Sequence, residues 1–443
     1  MAQIKTFNSY VLEYLGKDLP HELAQEVDLS SLGNETQNFI LRMLSLMRKA
    51  GQPATDFNPW LIWGLSTVVP NILPGSLGGT IPPLTNPGRH EIFDAYVEKS
   101  ISVPKNRQGI FVDVGCGFPP VTTVETTHRF PDWKVFGIDR NFAPYLVIDQ
   151  DGHYACFGRD HTLYYMQPRS DAPDILAFYK DHVSTRKRFK AAFVKLQPML
   201  TATADTKTSS VETGGFKLKQ NLIKEYETEQ LTFLETELGQ CRLPPANVLR
   251  CMNLLLYFDP KTRIRMMTQA GSILDQGGIL LAGTNHASGP YRRYIVYRKE
   301  GRRLHPEEFA FSPDVLRPLS VVAWFTIHED DPEADLLAEL TGSIRSNKAF
   351  WQKFFSRVDF LLEQHDICGR GENGFLIGPK AQKSPAEQRK LHCTLWQQII
   401  DEGYVDQAVD ALCTAGYDAF KNKVGDIAIR PGAGSHFPPL PLT

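Results

Sequence analysis

The chain has 443 residues, 42% of them hydrophobic and 22% charged, with 48 Lys and Arg against 50 Asp and Glu for a net charge of -2. That length allows a large core and suggests two or three domains, or one elaborated domain, of ordinary globular composition. A balance so close to zero argues against a general nucleic-acid binder, whose affinity comes from an excess of Lys and Arg, so no nucleic-acid partner is expected. The seven cysteines, Cys116, Cys156, Cys241, Cys251, Cys368, Cys393 and Cys413, are scattered, with no C-x-x-C pair. Reduced thiols in a cytoplasmic protein are the expectation, with no metal site. No run of about 18 apolar residues offers a membrane span, and the first twenty residues hold no uninterrupted apolar core of signal-peptide type.

Residues 1 to 55 show helical spacing, with Tyr10, Val11, Tyr14 and Leu15 on one face and Phe39, Ile40, Met43, Leu44 and Met47 on another, and read as a helical cap. The segment 58–84 is apolar and broken by Pro and Gly, which fits a lid, a pocket wall or a buried connection. Thr85 to Arg89 then opens a helical segment over 90–100.

The centre of the chain is 109–139, GIFVDVGCGFPPVTTVETTHRFPDWKVFGID. A buried strand, Ile110 to Val114, enters the turn Gly115-Cys116-Gly117; a helix follows, and a second strand ends in Asp139, with Arg140 next. Two glycines let the backbone approach a ligand, and an acid ending the next strand can accept both hydroxyls of a ribose. A dinucleotide would use a third glycine where the pyrophosphate meets the helix N-terminus. Pro119 and Pro120 stand there and remove two backbone donors, so a cofactor without phosphates fits better.

Segments 145–148, 153–157 and 162–166 alternate as an antiparallel meander, and the run Asp181 to Lys190 is a basic helix face. The polar stretch 201–214 reads as a mobile loop. Phe216 to Gln220 looks like a core strand ending at Asn221-Leu222, followed by a helix over 225–238 and a strand over 248–258. Asp259-Pro260 starts another helix, with Asp at the N-cap and Pro at the first position; it stops at Gly277-Gly278 before a strand over 279–282. Strands alternating with helices imply an α/β fold, a mostly parallel sheet with its ligand at the carboxyl ends. His286, just past that last strand, is the candidate catalytic base or acceptor-positioning group.

Further on, 292–311 reads as a hairpin, and His328, Glu329, Asp330 and Asp331 as a solvated acidic loop. An amphipathic helix spans 346–364, a last strand 374–378, and helices with a mobile Pro/Gly tail close the chain. The domain expectation is therefore 1–84 as cap and lid, 85–379 as core with a meander insertion at about 145–167, and 380–443 as a helical extension.

The motifs VDVGCG and VFGID resemble those of the class I S-adenosylmethionine-dependent methyltransferases, with a Rossmann-like seven-stranded sheet. The resemblance implies that Asp113 and the turn Gly115, Cys116, Gly117 lie beside the methionine part, that Asp139 and Arg140 border the ribose, and that Asn221 and Leu222 touch the adenine. The stretch CMNLLLYF, 251–258, resembles a strand of the chemotaxis-receptor methyltransferases, which implies that Asn253 and Leu254 line the cofactor cavity. Thr85 and Arg89 match a Thr and Arg spacing in the same family, where an Arg could hold the methionine carboxylate. Met252 in place of that family's Arg, and G-C-G-F-P-P in place of G-E-E-P, leave the acceptor open. The resulting expectation is methyl transfer from S-adenosylmethionine to O, N, S or C of a small, partly apolar or aromatic metabolite, by a chain that can form a homo-oligomer. A non-catalytic S-adenosylmethionine-binding module and, further off, an NAD-dependent oxidoreductase are the alternatives.

Overall fold

Strand β1 (Ile110–Val114) is buried at four of its five residues, as a strand covered on both faces must be. In the computed structural model it pairs in parallel with β2 (Lys134–Asp139), Val112 opposite Phe136 and Val114 opposite Ile138. The structure describes residues 7–17, 19, 32–58, 61–62, 64–65, 69, 85–104, 106–169, 178, 181–200, 209–286, 289–328, 330–378, 383, 385–432 and 437–442. Most of the apolar segment 58–84 and part of the polar loop, 201–208, lie outside them.

The chain forms two compact units. One comprises Asn71–Cys251 and Gln269–Leu280, the other Met1–Pro70, Met252–Thr268 and Leu281–Thr443. We call them the parallel-sheet unit and the hairpin unit.

In the parallel-sheet unit an antiparallel sheet is inserted after β2, built from β3 (Tyr145–Asp149), β4 (Tyr154–Phe157), β5 (Leu163–Gln167), β6 (Ser209–Thr213) and β7 (Phe216–Gln220) in the order β5-β4-β3-β7-β6. The expected meander is therefore present but larger, and two expectations are corrected. Residues 209–213 of the expected loop form an edge strand, and Phe216–Gln220 belongs to the insertion, antiparallel to β3, not to the core sheet. One face of the insertion, Val147, Ala155, Met166 and Leu218, is buried against the helix His182–Leu196, where Phe157 stacks on Phe193 with ring centroids 4.2 Å apart. The polar side of that helix stays in water, except that Arg188 reaches the buried carboxylate of Asp149 at 2.9 Å.

The chain returns to the core as β8 (Leu231–Glu235), parallel to β2 with Val135 opposite Leu231. The expected helix over 225–238 is thus a short 3-10 turn, Leu222–Tyr226, and a strand. Next comes β9 (Ala246–Met252), which lies parallel on the far side of β1, and the strand ends at Met252, short of 258. The order β9-β1-β2-β8 makes this a Rossmann-like α/β unit. The strand order reverses beside β1, and open α/β sheets take their ligands outside the carboxyl ends at such a point.

β10 (Leu274–Asn285), which belongs to the hairpin unit from Leu281 on, ends beside β11 (Arg292–Glu300), which turns at Gly301, φ +58°, into β12 (Arg303–Phe311). Gly283 lets the strands meet closely, since a Cβ there would stand 2.2 Å from the Arg293 carbonyl oxygen. The C-terminal tail is not a loose end. Ile427–Ile429 and Leu440–Pro441 both pair antiparallel with β12, anchored where Arg292 forks onto the buried Asp426 at 2.8 and 2.5 Å.

The acidic loop is corrected as well. Asp331 is 2% exposed, caps the helix Pro332–Ser346 through the Glu333 and Ala334 amides, and receives Arg263 and Arg293, each at 3.2 Å. Burial works against its charge, but the two guanidinium groups outweigh it and hold its pKa below the ordinary value. The amphipathic helix is Lys348–Gln364, preceded by that separate helix, and the expected strand 374–378 reduces to Leu376–Ile377 in a two-stranded ribbon with Gly369–Arg370.

Candidate functional site

The site is built where β1 and β2 end. Gly115 and Gly117 have φ of +70° and +67°, backbone that a side chain would strain. A Cβ on Gly117 would meet nothing within 4 Å, so the turn faces open space into which a ligand can come close. The half-buried Asp139 closes the other side, its carboxylate accepting the Gly117 amide at 3.0 Å and the Asn141 amide at 3.2 Å. Burial raises its pKa against the pull of these amides. Arg140, next along, is exposed.

Cys116 lies half-buried between the strands, and burial followed by the carboxylates of Asp139 and Asp113 pushes its thiol far above the usual range, which leaves it inert at neutral pH. The space beside it is full. A Cβ on Gly137 would stand 2.5 Å from the Phe233 ring and 3.1 Å from the Cys116 sulfur, so Gly137→Ala is expected to cost about 1–3 kcal/mol by overpacking, read as a lower urea midpoint.

Asp113 is taken up inside the protein. Its side chain is 3% exposed; Arg250 Nε and Nη2 donate to its two oxygens at 3.0 and 2.8 Å, and the Thr123 hydroxyl donates at 2.7 Å. The sequence reading put it beside the methionine part, but its carboxylate is spent on the buried Arg250, which stands opposite it in the β1–β9 register. Arg250 Nη1 also donates to Asp94 at 2.7 Å and to the Thr126 hydroxyl at 3.0 Å. One guanidinium so ties β1, β9, the helix Glu91–Ser100 and the helix Val121–Arg129 beneath the glycine turn.

Two carboxylates around one cation leave a surplus negative charge, and burial raises the pKa of Asp94 to about 6 despite Arg250 and Thr126. Because the folded value lies above the unfolded one, the folded state holds the extra proton and stability falls as pH rises from about 4 to 6. Asp94→Asn removes that slope: the wild type is expected to lose about 2–3 kcal/mol across this window relative to the variant, measured by urea unfolding at each pH.

Arg89 is half-buried in a turn whose Gly88 amide donates to both Glu125 oxygens at 2.9 and 3.0 Å, so the turn is fastened to the helix leaving the glycine loop. Thr85 begins the same turn segment. Asn221, with φ +55°, and Leu222 do not end a core strand; they end β7 in the insertion. Leu222 is nonetheless packed with Phe118, the residue after the glycine turn. The core strand next to β2 is β8, and its exit residues are Thr236 and Glu237, the Thr236 amide donating to the Asp139 carbonyl at 2.9 Å. The buried alternation of Leu231 and Phe233 is the sequence signal for this strand.

Asn253, Leu254 and His286 belong to the hairpin unit. Asn253 has φ +57°, its amide nitrogen donates to Asn285 Oδ1 at 2.6 Å, and its Oδ1 accepts the Asn285 backbone amide at 3.0 Å, which makes it a clamp on the end of β10. The half-buried His286 follows, its backbone amide donating to the Tyr291 carbonyl at 2.9 Å.

No protein-family model matches the chain, and no curated protein matches it. Among solved structures, it is similar to an O-methyltransferase family 2 protein from Planctomyces limnophilus in complex with apigenin, at 15% identity over 42% of this chain and 34% of that one, TM-score 0.20. It is also similar to magnesium protoporphyrin IX methyltransferase from Synechocystis with bound S-adenosylhomocysteine, at 11% identity over 49% and 58%, TM-score 0.21. A third is the N-methyltransferase NodS from Bradyrhizobium japonicum in complex with S-adenosylhomocysteine, at 10% over 44% and 59%, TM-score 0.20. All three are methyltransferases. The chain spans about a third of the length of the first. At such TM-scores the likeness carries no argument, and the fold and the site stand on this chain's own strands and residues.

Proposed function

We propose that the chain is an S-adenosylmethionine-dependent methyltransferase acting on a small, partly apolar or aromatic metabolite. One observation carries the reading: the open glycine turn at the end of β1 faces an acid at the end of β2, and prolines stand where a pyrophosphate would need amides. The residues fit a cofactor with a ribose and no phosphate. Asp139 would hold the ribose hydroxyls, with Arg140 at the rim; Gly115, Cys116 and Gly117 would border the methionine part, whose carboxylate Arg89 could meet; Thr236 and Glu237 would flank the adenine. Asn253 and Leu254 as cavity lining and His286 as base rest on the family resemblance and on their places at strand ends.

When bound, the cofactor supplies an electrophilic methyl on a sulfonium. The work left to the chain is to align the acceptor with that methyl and exclude water, which can lower the barrier without a strong base. Calorimetry with S-adenosylhomocysteine tests the cofactor: binding is expected, and NADH binding without it sinks the reading. Mass spectrometry of a metabolite extract incubated with methyl-labelled cofactor then identifies the acceptor by its mass gain. Binding with no gain over a broad panel returns the non-catalytic module.

A further inference from the structure

The two faces of the inserted sheet have opposite fates. Residues alternate across a strand, and while Val147, Ala155 and Leu218 are sealed under a helix, the register puts Tyr154, Ile148 and Lys217 side by side on the other face, with Tyr165, Leu146 and Lys219 in the next row. Leu146 is buried there against Phe118 and Leu222, whereas Ile148, Tyr154 and Tyr165 remain half-buried. A register shift between β4 and β5 at Cys156/Phe157 leaves Tyr164 as an extra residue, and it joins the same cluster beside Tyr165. Bulges of this kind re-aim a side chain.

This floor begins where the glycine turn ends. Phe118 packs into it, Tyr165 donates its hydroxyl to the Phe118 carbonyl at 3.1 Å, and Tyr226 meets the Phe118 ring edge-on at 6.3 Å. At the far side stand Lys217 and Lys219, half-buried and in no ion pair with a described residue; the one acid in their rows is the exposed Glu212, opposite Lys217 on β6. From Tyr154 across Ile148 to Lys217 is two strand spacings, about 10 Å, the length of a one- or two-ring aromatic acid.

We propose that this face binds the methyl acceptor as a planar aromatic anion, its ring on Tyr154, Ile148 and Tyr165 and its negative group at Lys217 and Lys219. Tyrosines on rigid strands offer contact area at little entropic cost, and lysine stems cover the ring while their ammonium groups meet the charge. The proposal rests on the methyl-transfer reading and is tested apart from it. The probe is 1-anilinonaphthalene-8-sulfonate, titrated by fluorescence into the full chain, beside its uncharged parent N-phenyl-1-naphthylamine. Lys217→Glu with Lys219→Glu is expected to weaken the sulfonate roughly tenfold or more while leaving the parent, the melting temperature and S-adenosylhomocysteine affinity unchanged. Lys217→Gln with Lys219→Gln gives a smaller loss and serves if charge reversal disturbs folding. Tyr154→Ala weakens both probes. Equal sulfonate affinity in the folded lysine variants, or displacement of the probe by S-adenosylhomocysteine, overturns the assignment. A chain that binds no S-adenosylhomocysteine but keeps the lysine-dependent probe site would bring down the cofactor reading and not the aromatic-anion site.

Discussion

Replacing Arg250 by Ala is expected to lower the unfolding free energy by about 3–5 kcal/mol, a large part of what holds a domain together. Arg250 is 0% exposed and makes four hydrogen bonds, two to Asp113, one to Asp94 and one to the Thr126 hydroxyl. Without it two carboxylates are left facing each other in the core, and water must enter or both must take protons. The loss should therefore be larger at pH 8 than at pH 5. A well-packed apolar replacement of all three, Asp94→Leu, Asp113→Leu and Arg250→Met, should recover much of the stability, because the cost lies in stranding charges rather than in losing attraction. Urea midpoints of the single and triple variants check this. A single variant within about 1 kcal/mol of wild type at pH 8 would mean that the cluster is hydrated rather than buried.

Asp139→Ala is expected to weaken S-adenosylhomocysteine on the order of 100-fold, about 3 kcal/mol, the worth of two hydrogen bonds to a charged acceptor. Part of that loss would come through the protein, since the same carboxylate holds the Gly117 amide at 3.0 Å. Asp139→Asn keeps an acceptor and gives up the charge, so about a tenfold loss is expected of it. Calorimetry on both variants, with their melting temperatures as a control for the turn, separates ribose contact from loop support. Full affinity in a folded Asp139→Ala places the ribose elsewhere.

Both effects trace to residues whose visibility in the sequence differs. The place of Asp139 is legible locally, as an acid that ends an apolar strand after a glycine turn. Arg250 is not legible in this way, although a signal is there: a single charge interrupts each of two mostly apolar strands, Ile110–Val114 and Ala246–Met252. Only the register that sets Asp113 against Arg250 turns two anomalies into a pair. The strand beside β2 was hidden for another reason. The stretch 225–238 is rich in Glu and Leu, good helix formers, yet Leu231–Glu235 gains more by pairing with β2 than a helix would give it. With that helical composition, Phe216–Gln220 resembles the core strand, although the place beside β2 belongs to its successor, Leu231–Glu235.

The sequence by itself determined what is local: the buried strand, the glycine turn with its prolines, the acid that follows, and the alternating insertion, since backbone permissiveness and side-chain periodicity are written in neighbouring residues. Tertiary structure alone decided which strand completes the sheet beside β2, where the insertion turns its aromatic face, and which carboxylate pairs with Arg250. Those depend on pairing between segments far apart in the chain, up to the 137 positions that separate Asp113 from Arg250. No local pattern carries the energy of a partner that distant.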